Sequence, residues 1–422
     1  MKVPLSTLLL SSLLVSCGFA ANVDYRYLGR IETTNPAFLS VEKFPGQPEF
    51  LLISSFAALS SGSVSVIPDI ASTIKNLSFA QAKAHVLANT FKWPNEVRPV
   101  PQDVFGSGVN AIVVPDGFLP PGKTEGNVFV ITTDPKDVTV KEQVYKISAP
   151  KSGYFYHMGV WIDMDGDGRK DYLTARTNAK AGQGQLVWYQ HPAQGLQQVP
   201  WAEQVITQGP DVMFEVHDNI PNYEGKLIVF AAEFFTHRLT VYEVSKGGPT
   251  AGQVLNSKII DSTLDQAYSV KYVDINGDGK HQLLVNNHES DNTKAAIFLY
   301  DVPSDLFNAN FTKRVIANGF KNAFSLFIPN MCPGFPYVVY PTKGSKAHIL
   351  VAGDGDYSAH LMRPDGTGNF KREVIKNLGG TVGSLAAYDF GNDGNVEFFV
   401  PNYDKNYIEV YQFFESAATF LE

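Results

Sequence analysis

Three nine-residue stretches carry oxygen side chains at a spacing that binds hard cations. They begin at Asp163, Asp274 and Asp389, and each has glycine at position 6 and side chains suited to ligation at positions 1, 5 and 9. Such a loop wraps around calcium, which accepts about six to eight oxygens, and its position 7 ligates through the main-chain carbonyl. The predicted calcium ligands are Asp163, Asp165, Asp167, Arg169 and Asp171; Asp274, Asn276, Asp278, Lys280 and Gln282; and Asp389, Gly391, Asp393, Asn395 and Glu397.

The three loops differ in the charge that they offer a cation. All four side-chain ligands of the first loop are carboxylates, whereas Gln282 replaces an acid in the second and Gly391 supplies no side chain in the third. We therefore expect up to three calcium ions, with the tightest site at Asp163. The alternative is that Asp-Gly runs form plain turns. Three copies in one register favour metal loops over that alternative.

The residues that flank the loops are typical of strands. An EF-hand would place a bidentate Glu at position 12 and a helix on each side. Here position 12 is Thr174, Val285 or Val400, and short apolar, β-rich runs precede and follow each loop. Each loop is therefore predicted to be a hairpin connection between two strands.

The spacing of the loops indicates a repeat architecture. The loops start 111 and 115 residues apart, and similar units without the loop lie halfway between them, near Asp218 and Pro329. The resulting period is about 55 residues with four strands in each unit, and two further units fit upstream. The sequence predicts an all-β fold, a seven-bladed β-propeller of four-stranded antiparallel blades.

The two ends of the repeat suggest how the ring closes. The chain stops soon after Tyr407–Phe413, the third strand of the last unit, and Tyr25–Ile31 resembles an unpaired fourth strand. Pairing the two would remove the exposed sheet edges. We expect one domain over 21–422, with a helix-prone insertion at about 70–101 in which Phe79–Leu87 forms a short helix. The first strand of the sixth unit is predicted at 324–329.

The first twenty residues are typical of a secretory signal peptide. Lys2 precedes an apolar stretch that ends in small residues, so cleavage near Ala20 is expected. A bacterial lipoprotein signal ending at Cys17 is the alternative, and it would anchor the chain through a lipid on that residue. The later sequence contains no apolar run long enough to span a bilayer. We expect secretion, with Asn76 and Asn310 as glycosylation acceptors in a eukaryotic host.

Composition excludes several classes of protein. The formal net charge is −8, and no basic stripe of the kind that binds nucleic acid is present. Aromatic residues make up 12% of the chain and charged residues 18%, which indicates a large packed core instead of a disordered chain.

The loop motif resembles the FG-GAP/VCBS repeat family of calcium-loop propellers, which includes the integrin alpha-subunit heads. The resemblance rests on the runs that start at Asp163, Asp274 and Asp389, each followed by two aromatic or aliphatic residues after position 9. The Phe-Gly and Gly-Ala-Pro signatures of integrin repeats are missing, so the chain is more similar to the VCBS side. The resemblance implies secretion, calcium loops and, often, adhesion or contact with glycans.

Ligands of propellers are expected at a mouth of the central channel, opposite the calcium hairpins. Aligning the units at the end of their second strands gives a set of polar candidates, with no residue assigned as catalytic: Asn178, Glu233, Glu289, Asp354 or Asp356, and Asp404. Further candidates lie near these positions: His157, Arg176, His237 and His288. These residues either line a pocket for a sugar or a second metal, or they are polar because loop ends meet water.

Three functions remain open from the sequence. The first is a secreted, calcium-binding protein or matrix module that binds an extracellular protein or glycan. The second is a carbohydrate-active enzyme, a lyase, hydrolase or dehydratase, with its site at the mouth. The third is an adhesion receptor ectodomain, which the lack of a membrane span disfavours.

Overall fold

The computed structural model describes residues 22–106, 108–324 and 330–416. The predicted signal peptide and Cys17 lie outside this part of the chain. The described residues form seven four-stranded sheets in which every neighbouring pair of strands is antiparallel. The predicted seven-bladed β-propeller is therefore confirmed.

The strands of the first three blades follow one another along the chain, after an N-terminal strand that belongs to the last blade. The bounds are β1 (Asn22–Glu32); β2 (Pro36–Glu42), β3 (Phe50–Ala57), β4 (Ser60–Ile67) and β5 (His85–Phe91) in blade 1; β6 (Arg98–Pro99), β7 (Asn110–Pro115), β8 (Val128–Thr133) and β9 (Lys141–Lys146) in blade 2; and β10 (Phe155–Ile162), β11 (Asp171–Thr177), β12 (Gln185–Gln190) and β13 (Ala202–Gln208) in blade 3.

Blades 4 to 7 repeat the same order. The bounds are β14 (Met213–His217), β15 (Lys226–Glu233), β16 (Arg238–Ser245) and β17 (Val254–Asp261) in blade 4; β18 (Ala267–Val273), β19 (Gln282–Asn287), β20 (Ala296–Asp301) and β21 (Thr312–Asn318) in blade 5; β22 (Pro336–Val339), β23 (His348–Ala352), β24 (Ser358–Pro364) and β25 (Phe370–Asn377) in blade 6; and β26 (Ala386–Tyr388), β27 (Glu397–Asn402) and β28 (Tyr407–Ser416) in blade 7.

Burial changes with distance from the axis. The second strands, such as β11, β19 and β27, are buried at every residue, because each is covered on both faces by neighbouring blades. This explains why the sequences of these strands are continuous apolar runs and do not alternate between apolar and polar residues. The fourth strands, such as β9 and β13, are mostly exposed and form the rim. The first strands line the axis, where Phe38 of β2 contacts His157 of β10 at 5.4 Å between ring centroids, although the two lie in blades 1 and 3.

The ring closes as the sequence predicts. Strand β1 pairs antiparallel with β28, from Asn22 opposite Ser416 to Glu32 opposite Tyr407, and becomes the outermost strand of blade 7. Side chains reinforce the pairing, since the Arg26 guanidinium donates to Gln412 Oε1 at 2.6 Å across 386 positions of sequence. Blade 7 is therefore built from both ends of the described chain.

The predicted helix at Phe79–Leu87 is wrong. The helix in this region is α1 (Ile70–Lys75), which Asp69 caps by accepting a hydrogen bond from the Ser72 amide at 3.2 Å. Turns follow, and then β5, which begins at His85 and completes blade 1. The segment at 70–101 thus contains two blade strands, β5 and β6, because tertiary pairing overrides the helical preference of its alanines. A second helix, α2 (Gln102–Phe105), and a 3₁₀ turn (Gly248–Thr250) complete the described helices.

The first strand of blade 6 lies later than expected. Most of the predicted strand at 324–329 falls outside the described residues, and β22 begins at Pro336. The loop between β22 and β23 therefore spans residues 340–347, at the position that the predicted calcium loops occupy in blades 3, 5 and 7.

The blades present two faces. The three predicted calcium loops, at 163–171, 274–282 and 389–397, are called the metal loops below. They and the other loops between first and second strands lie on what we call the metal-loop face. The ends of the second strands and the connections into the first strands lie on the opposite face, around the mouth of the channel. Among the described helices, none has the length and apolar character needed to cross a membrane.

Candidate functional site

The first metal loop brings three carboxylates together. Ligand oxygens of Asp163, Asp165 and Asp171 all lie within 4.8 Å of one another, the one such acidic group of three in the described part of the chain. The loop is shaped by its own amides, because Asp163 accepts hydrogen bonds from the amides of Gly166 (2.7 Å) and Gly168 (3.0 Å). Calcium holds its ligands at about 2.3–2.6 Å, so two oxygens on one ion are at most about 5 Å apart. This donor set fits a calcium ion.

The fourth predicted carboxylate of this loop is directed elsewhere. Asp167 forms an ion pair with the guanidinium of Arg169, the position-7 residue. Asp165 is held from outside the loop, where it accepts a hydrogen bond from the Gln190 side chain at 2.5 Å. Three side chains of the predicted set, those of Asp163, Asp165 and Asp171, are therefore placed for ligation, and the main-chain carbonyl of Arg169 stays a predicted ligand.

Position 9 performs the same structural task in all three loops. Its side-chain oxygen accepts a hydrogen bond from the amide at position 2: from Met164 to Asp171 (3.0 Å), from Ile275 to Gln282 (3.3 Å) and from Phe390 to Glu397 (3.3 Å). Burial raises the pKa of Asp171 to about 7 and that of Glu397 to about 7, with nearby carboxylates adding to the rise. The uncharged side chain of Gln282 accepts the equivalent hydrogen bond. The hydrogen bond at position 9 therefore closes the loop without the need for a bound cation.

The second and third loops form the same turn, but they offer a cation fewer closely placed ligand oxygens. Asp274 accepts from the amides of Gly277 (2.8 Å) and Gly279 (2.7 Å), and Asp389 accepts from those of Asp393 (3.2 Å) and Gly394 (3.1 Å). The remaining predicted ligands there are exposed, except for the half-buried Asn395: Asn276, Asp278 and Lys280, and Gly391, Asp393 and Asn395. Although the third loop has three acids, they do not form a group as close as the one at Asp163.

The first metal loop also joins two blades. The amides of Gly247 and Gly248, between β16 and β17, donate to the carbonyls of Met164 (2.8 Å) and Asp165 (3.1 Å). A side chain at Gly166 would sit 3.3 Å from the Gly247 Cα. The conformation of this loop therefore affects the contact between blades 3 and 4 directly.

The mouth is closed towards the axis by aromatic rings from several blades. His157 is 4% exposed and contacts the rings of Phe38, Tyr268 and Phe335 at centroid distances of 5.4, 6.3 and 6.3 Å. Its Nδ1 has no hydrogen-bond partner among the described residues. Burial lowers the pKa of His157 to about 4, with Glu96 opposing that shift. His157 is thus a neutral ring at neutral pH, with one unused polar atom.

A histidine and an aspartate stand beside these rings. His288 stacks on Tyr268 at 4.5 Å between centroids, and its Nε2 lies 3.1 Å from Asp354 Oδ2. Both side chains remain partly exposed. Asp354 has a positive φ of 52°, which is uncommon for residues other than glycine. This pair is a partly exposed polar group beside the aromatic rings near the axis.

Two of the predicted mouth residues lie inside blades instead of lining the mouth. Arg176 is fully buried and holds both Glu203 oxygens, at 2.7 and 2.8 Å. Glu233 is also fully buried and accepts from Arg238 (2.5 Å) and from the Tyr242 hydroxyl (2.6 Å). Buried charges need such partners to offset the loss of hydration. These residues hold strands together and have no group free for a ligand.

The other predicted mouth residues stabilise loops. Glu289 accepts from the Gln266 amide at 2.8 Å, and its pKa is raised by burial. Asp404 accepts from the Thr381 amide at 2.7 Å, and Asn178 donates to the Gln183 side chain at 2.7 Å. His237 is exposed in a turn with φ of 62°. The polar character of these strand ends thus comes mainly from turn chemistry.

A row of aromatic side chains at the mouth was not predicted. Trp93 lies between Phe56 and Phe118, stacked on them at centroid distances of 4.0 and 5.2 Å, and Tyr403 continues the row at 5.5 Å from Phe56. All four rings are half-buried, and Leu59 at the adjoining hairpin tip is fully exposed. The row crosses blades 7, 1 and 2, so no local sequence pattern could have identified it.

Charged side chains line the channel below the aromatic rings. Arg98 contacts Glu96 at 2.5 Å and Glu42 at 3.8 Å, while Lys271 contacts Glu215 at 2.9 Å. Burial favours protonation of Glu96, but the charges of Arg98 and Lys271 outweigh it and lower the pKa of that carboxyl. These residues come from blades 1, 2, 4 and 5, and together they form a largely neutralised network.

Both predicted glycosylation acceptors are accessible. Asn76 is the exposed C-cap of α1, and Asn310 is exposed before β21.

Comparison with known proteins identifies the class of fold. No family model and no curated protein sequence matches the chain. Among solved structures it is similar to the BP39L lectin from Burkholderia pseudomallei, with a TM-score of 0.56 and 14% identity over 90% of this chain and 96% of the lectin. It is also similar to the Dos1 propeller, with a TM-score of 0.48 and 10% identity over 89% of this chain and 77% of the other. At 14% identity the likeness to the lectin concerns the fold alone.

Proposed function

We propose that the protein is a secreted, calcium-binding β-propeller that acts as a binding module for glycans at its mouth. The observation that carries the proposal is the composition of the mouth: aromatic rings from several blades surround a small number of polar groups. Ligand sites are commonly apolar and aromatic with a few placed polar atoms. A sugar unit combines a C–H face with a ring of hydroxyls and matches such a lining.

The polar groups at the mouth suit hydroxyl ligands. The His288–Asp354 pair offers a donor and acceptors, and His157 Nδ1 is a further unused polar atom. Asp354 places a carboxylate beside the aromatic rings, which disfavours a strongly anionic ligand. The likeness to a lectin adds a precedent for glycan binding by a propeller, although it concerns another protein.

In this proposal the calcium loops stiffen the platform from the opposite face. The carboxylate group at Asp163 fits the ion, and Gly247 and Gly248 link that loop to the next blade. Calcium bound there would supply positive charge that holds the carboxylates together. The loop does not take part in ligand contact, because the mouth lies on the other face.

The enzymatic alternative draws less support from the geometry. Arg176 and Glu233, two of the candidate residues at the mouth, are fully buried and form ion pairs within their blades. Acid–base catalysis requires a titratable group within reach of the substrate. The His288–Asp354 pair remains the feature on which that alternative rests.

The test is a glycan-binding screen with the purified secreted protein, followed by titration of the best glycan into variants. We expect Trp93→Ala and His288→Ala each to weaken binding by about tenfold or more, since each removes a large contact or a charge-assisted hydrogen bond. Tyr27→Ala is the matched control, because Tyr27 is 52% exposed on β1 at the rim. Equal affinity in all three variants would contradict a glycan site at the mouth.

A second measurement addresses secretion itself. Mass spectrometry of the mature protein is expected to find an N-terminus near Ala21. A lipid-modified Cys17 would instead show a membrane-anchored protein.

A further inference from the structure

A cleft on the metal-loop face lies between blades 6 and 7, away from the mouth. Its volume is roughly 430 Å³, and blade 6 contributes Tyr340 and residues 342–345 while blade 7 contributes Asp389, Asn392, Gly394 and Val396. Sites for small ligands typically measure about 300–1,000 Å³. The cleft is therefore large enough for a sugar-sized molecule.

The walls of the cleft are held by main-chain bonds. The Val396 amide donates to the Pro341 carbonyl at 3.0 Å, and the Ser345 amide donates to the Thr342 carbonyl at 3.0 Å. Gly394 has φ of 85°, and a Cβ there would lie 2.8 Å from the Lys343 Cβ. The two loops approach closely only because residue 394 is glycine, so the cleft is a fixed part of the blade contact.

Several polar groups of the cleft have no partner among the described residues. Thr342 is 4% exposed, and its buried hydroxyl makes no hydrogen bond. A buried polar atom without a partner costs about 1–3 kcal/mol, so such atoms generally have a water or ligand beside them. The ammonium of Lys343 and the side-chain amide of Asn392 likewise form no ion pair or hydrogen bond with the described part of the chain.

The lining also sets the chemistry of the occupant. Tyr340 is 51% exposed and, with Val396, supplies an apolar wall. Lys343 and Asn392 can donate, whereas the Asp389 carboxylate has lone pairs left after it accepts from two loop amides. Asp389 disfavours an anion and Lys343 disfavours a cation.

We propose that this cleft binds a single neutral, hydroxyl-rich unit such as a hexose. The site is separate from the glycan site at the mouth and goes beyond it. A molecule with ligand sites on both faces can bridge two glycans, and linking two such sites raises the effective affinity for a multivalent surface.

The experiment titrates a panel of neutral monosaccharides (D-glucose, D-galactose, D-mannose, L-fucose and N-acetyl-D-glucosamine) into the full secreted protein by NMR and calorimetry. We expect saturable binding of at least one of them. Thr342→Val keeps the shape of the side chain and removes the unpaired hydroxyl, so we expect about tenfold weaker binding and, without ligand, a melting temperature that is equal to or higher than that of the wild type. Tyr340→Ala is expected to abolish binding to the cleft.

The controls separate this site from the mouth. Trp93→Ala is expected to leave the monosaccharide affinity of the cleft unchanged, while it weakens glycan binding at the mouth. The proposal is overturned if no neutral monosaccharide saturates, if Thr342→Val and Tyr340→Ala both bind like the wild type, or if binding requires an acidic sugar and Lys343. None of these results would decide the glycan site at the mouth, which is tested separately by Trp93→Ala and His288→Ala.

Discussion

Calcium should stabilise the protein through its first metal loop. Ligand oxygens of Asp163, Asp165 and Asp171 lie within 4.8 Å of one another. Two carboxylate charges at that distance repel by about 0.9 kcal/mol even at the permittivity of water, and by more in a less polar surrounding. A divalent cation reverses the sign of this contribution. At a free calcium concentration about one hundred times Kd, binding to the folded state alone adds about 2.7 kcal/mol to the free energy of unfolding.

The assay is urea unfolding, followed by tryptophan fluorescence, in excess calcium and in excess chelator. The measured quantity is the calcium increment, the difference between the two unfolding free energies of one variant. Asp165→Asn places in the first loop the residue that the second loop has at position 276. We expect its calcium affinity to fall by about tenfold or more, because affinity in such loops follows ligand charge. The increment should then fall by about 1.4 kcal/mol at the same calcium concentration.

The reverse substitutions, made in the second loop, should strengthen calcium binding there. Asn276→Asp combined with Gln282→Asp gives the second loop the four carboxylates of the first, and should raise the calcium increment. Asp389→Asn, in the loop whose acids do not form a close group, should leave most of the increment in place. If wild-type unfolding is identical in calcium and chelator, or if Asp389→Asn removes the increment and Asp165→Asn does not, the assignment of the site to the first loop is refuted.

Two further predictions follow from buried groups. Arg176→Met should lower the free energy of unfolding by about 3–5 kcal/mol in urea titrations, because it leaves Glu203 without its partner; Arg176→Met with Glu203→Gln should recover part of the loss, and an unchanged stability would contradict the structural role. The folded-state pKa of His157 is lowered to about 4 from 6.5, so the unfolded chain binds the extra proton first as the pH falls. His157 should therefore lower the free energy of unfolding by about 3 kcal/mol between about pH 6.5 and pH 4, while Asp171 and Glu397, whose pKa values are raised, act in the opposite direction over this range. His157→Phe should remove the His157 contribution, so the wild type should lose stability relative to the variant as the pH falls, and parallel curves for the two proteins would refute the assignment.

The features predicted from sequence are those with local and repeated signals. The metal-loop hairpins, the buried second strands and the period of about 55 residues all repeat along the chain, so each copy supports the others. The closing strand was also predictable, because Tyr25–Ile31 had strand character and no partner in its own neighbourhood. What the sequence pattern predicts well is the blade and the ring.

The features that could not be predicted depend on contacts between blades, or on strand pairing that outweighs the local preference of a segment. The segment that contains β5 has a helical composition locally, but the fourth place in blade 1 requires a strand. Arg176 and Glu233 looked like mouth residues because they lie near strand ends, whereas the structure directs both side chains into ion pairs within blades. The aromatic row and the channel charges join residues from distant repeats, for which one sequence carries no signal.

The joining of β1 to β28 has a consequence for how the protein is made. Residues 22–32 leave the ribosome before the rest of the described chain, yet their partner strand is the last one described, some 386 positions later. Until synthesis reaches it, blade 7 is missing and the flanks of blades 1 and 6 have no neighbour. Long-range pairing of this kind slows folding and leaves sheet edges open to aggregation. Nascent chains should therefore depend on chaperones until the final strand emerges, and a chain cut before Tyr407 should not reach a soluble native state.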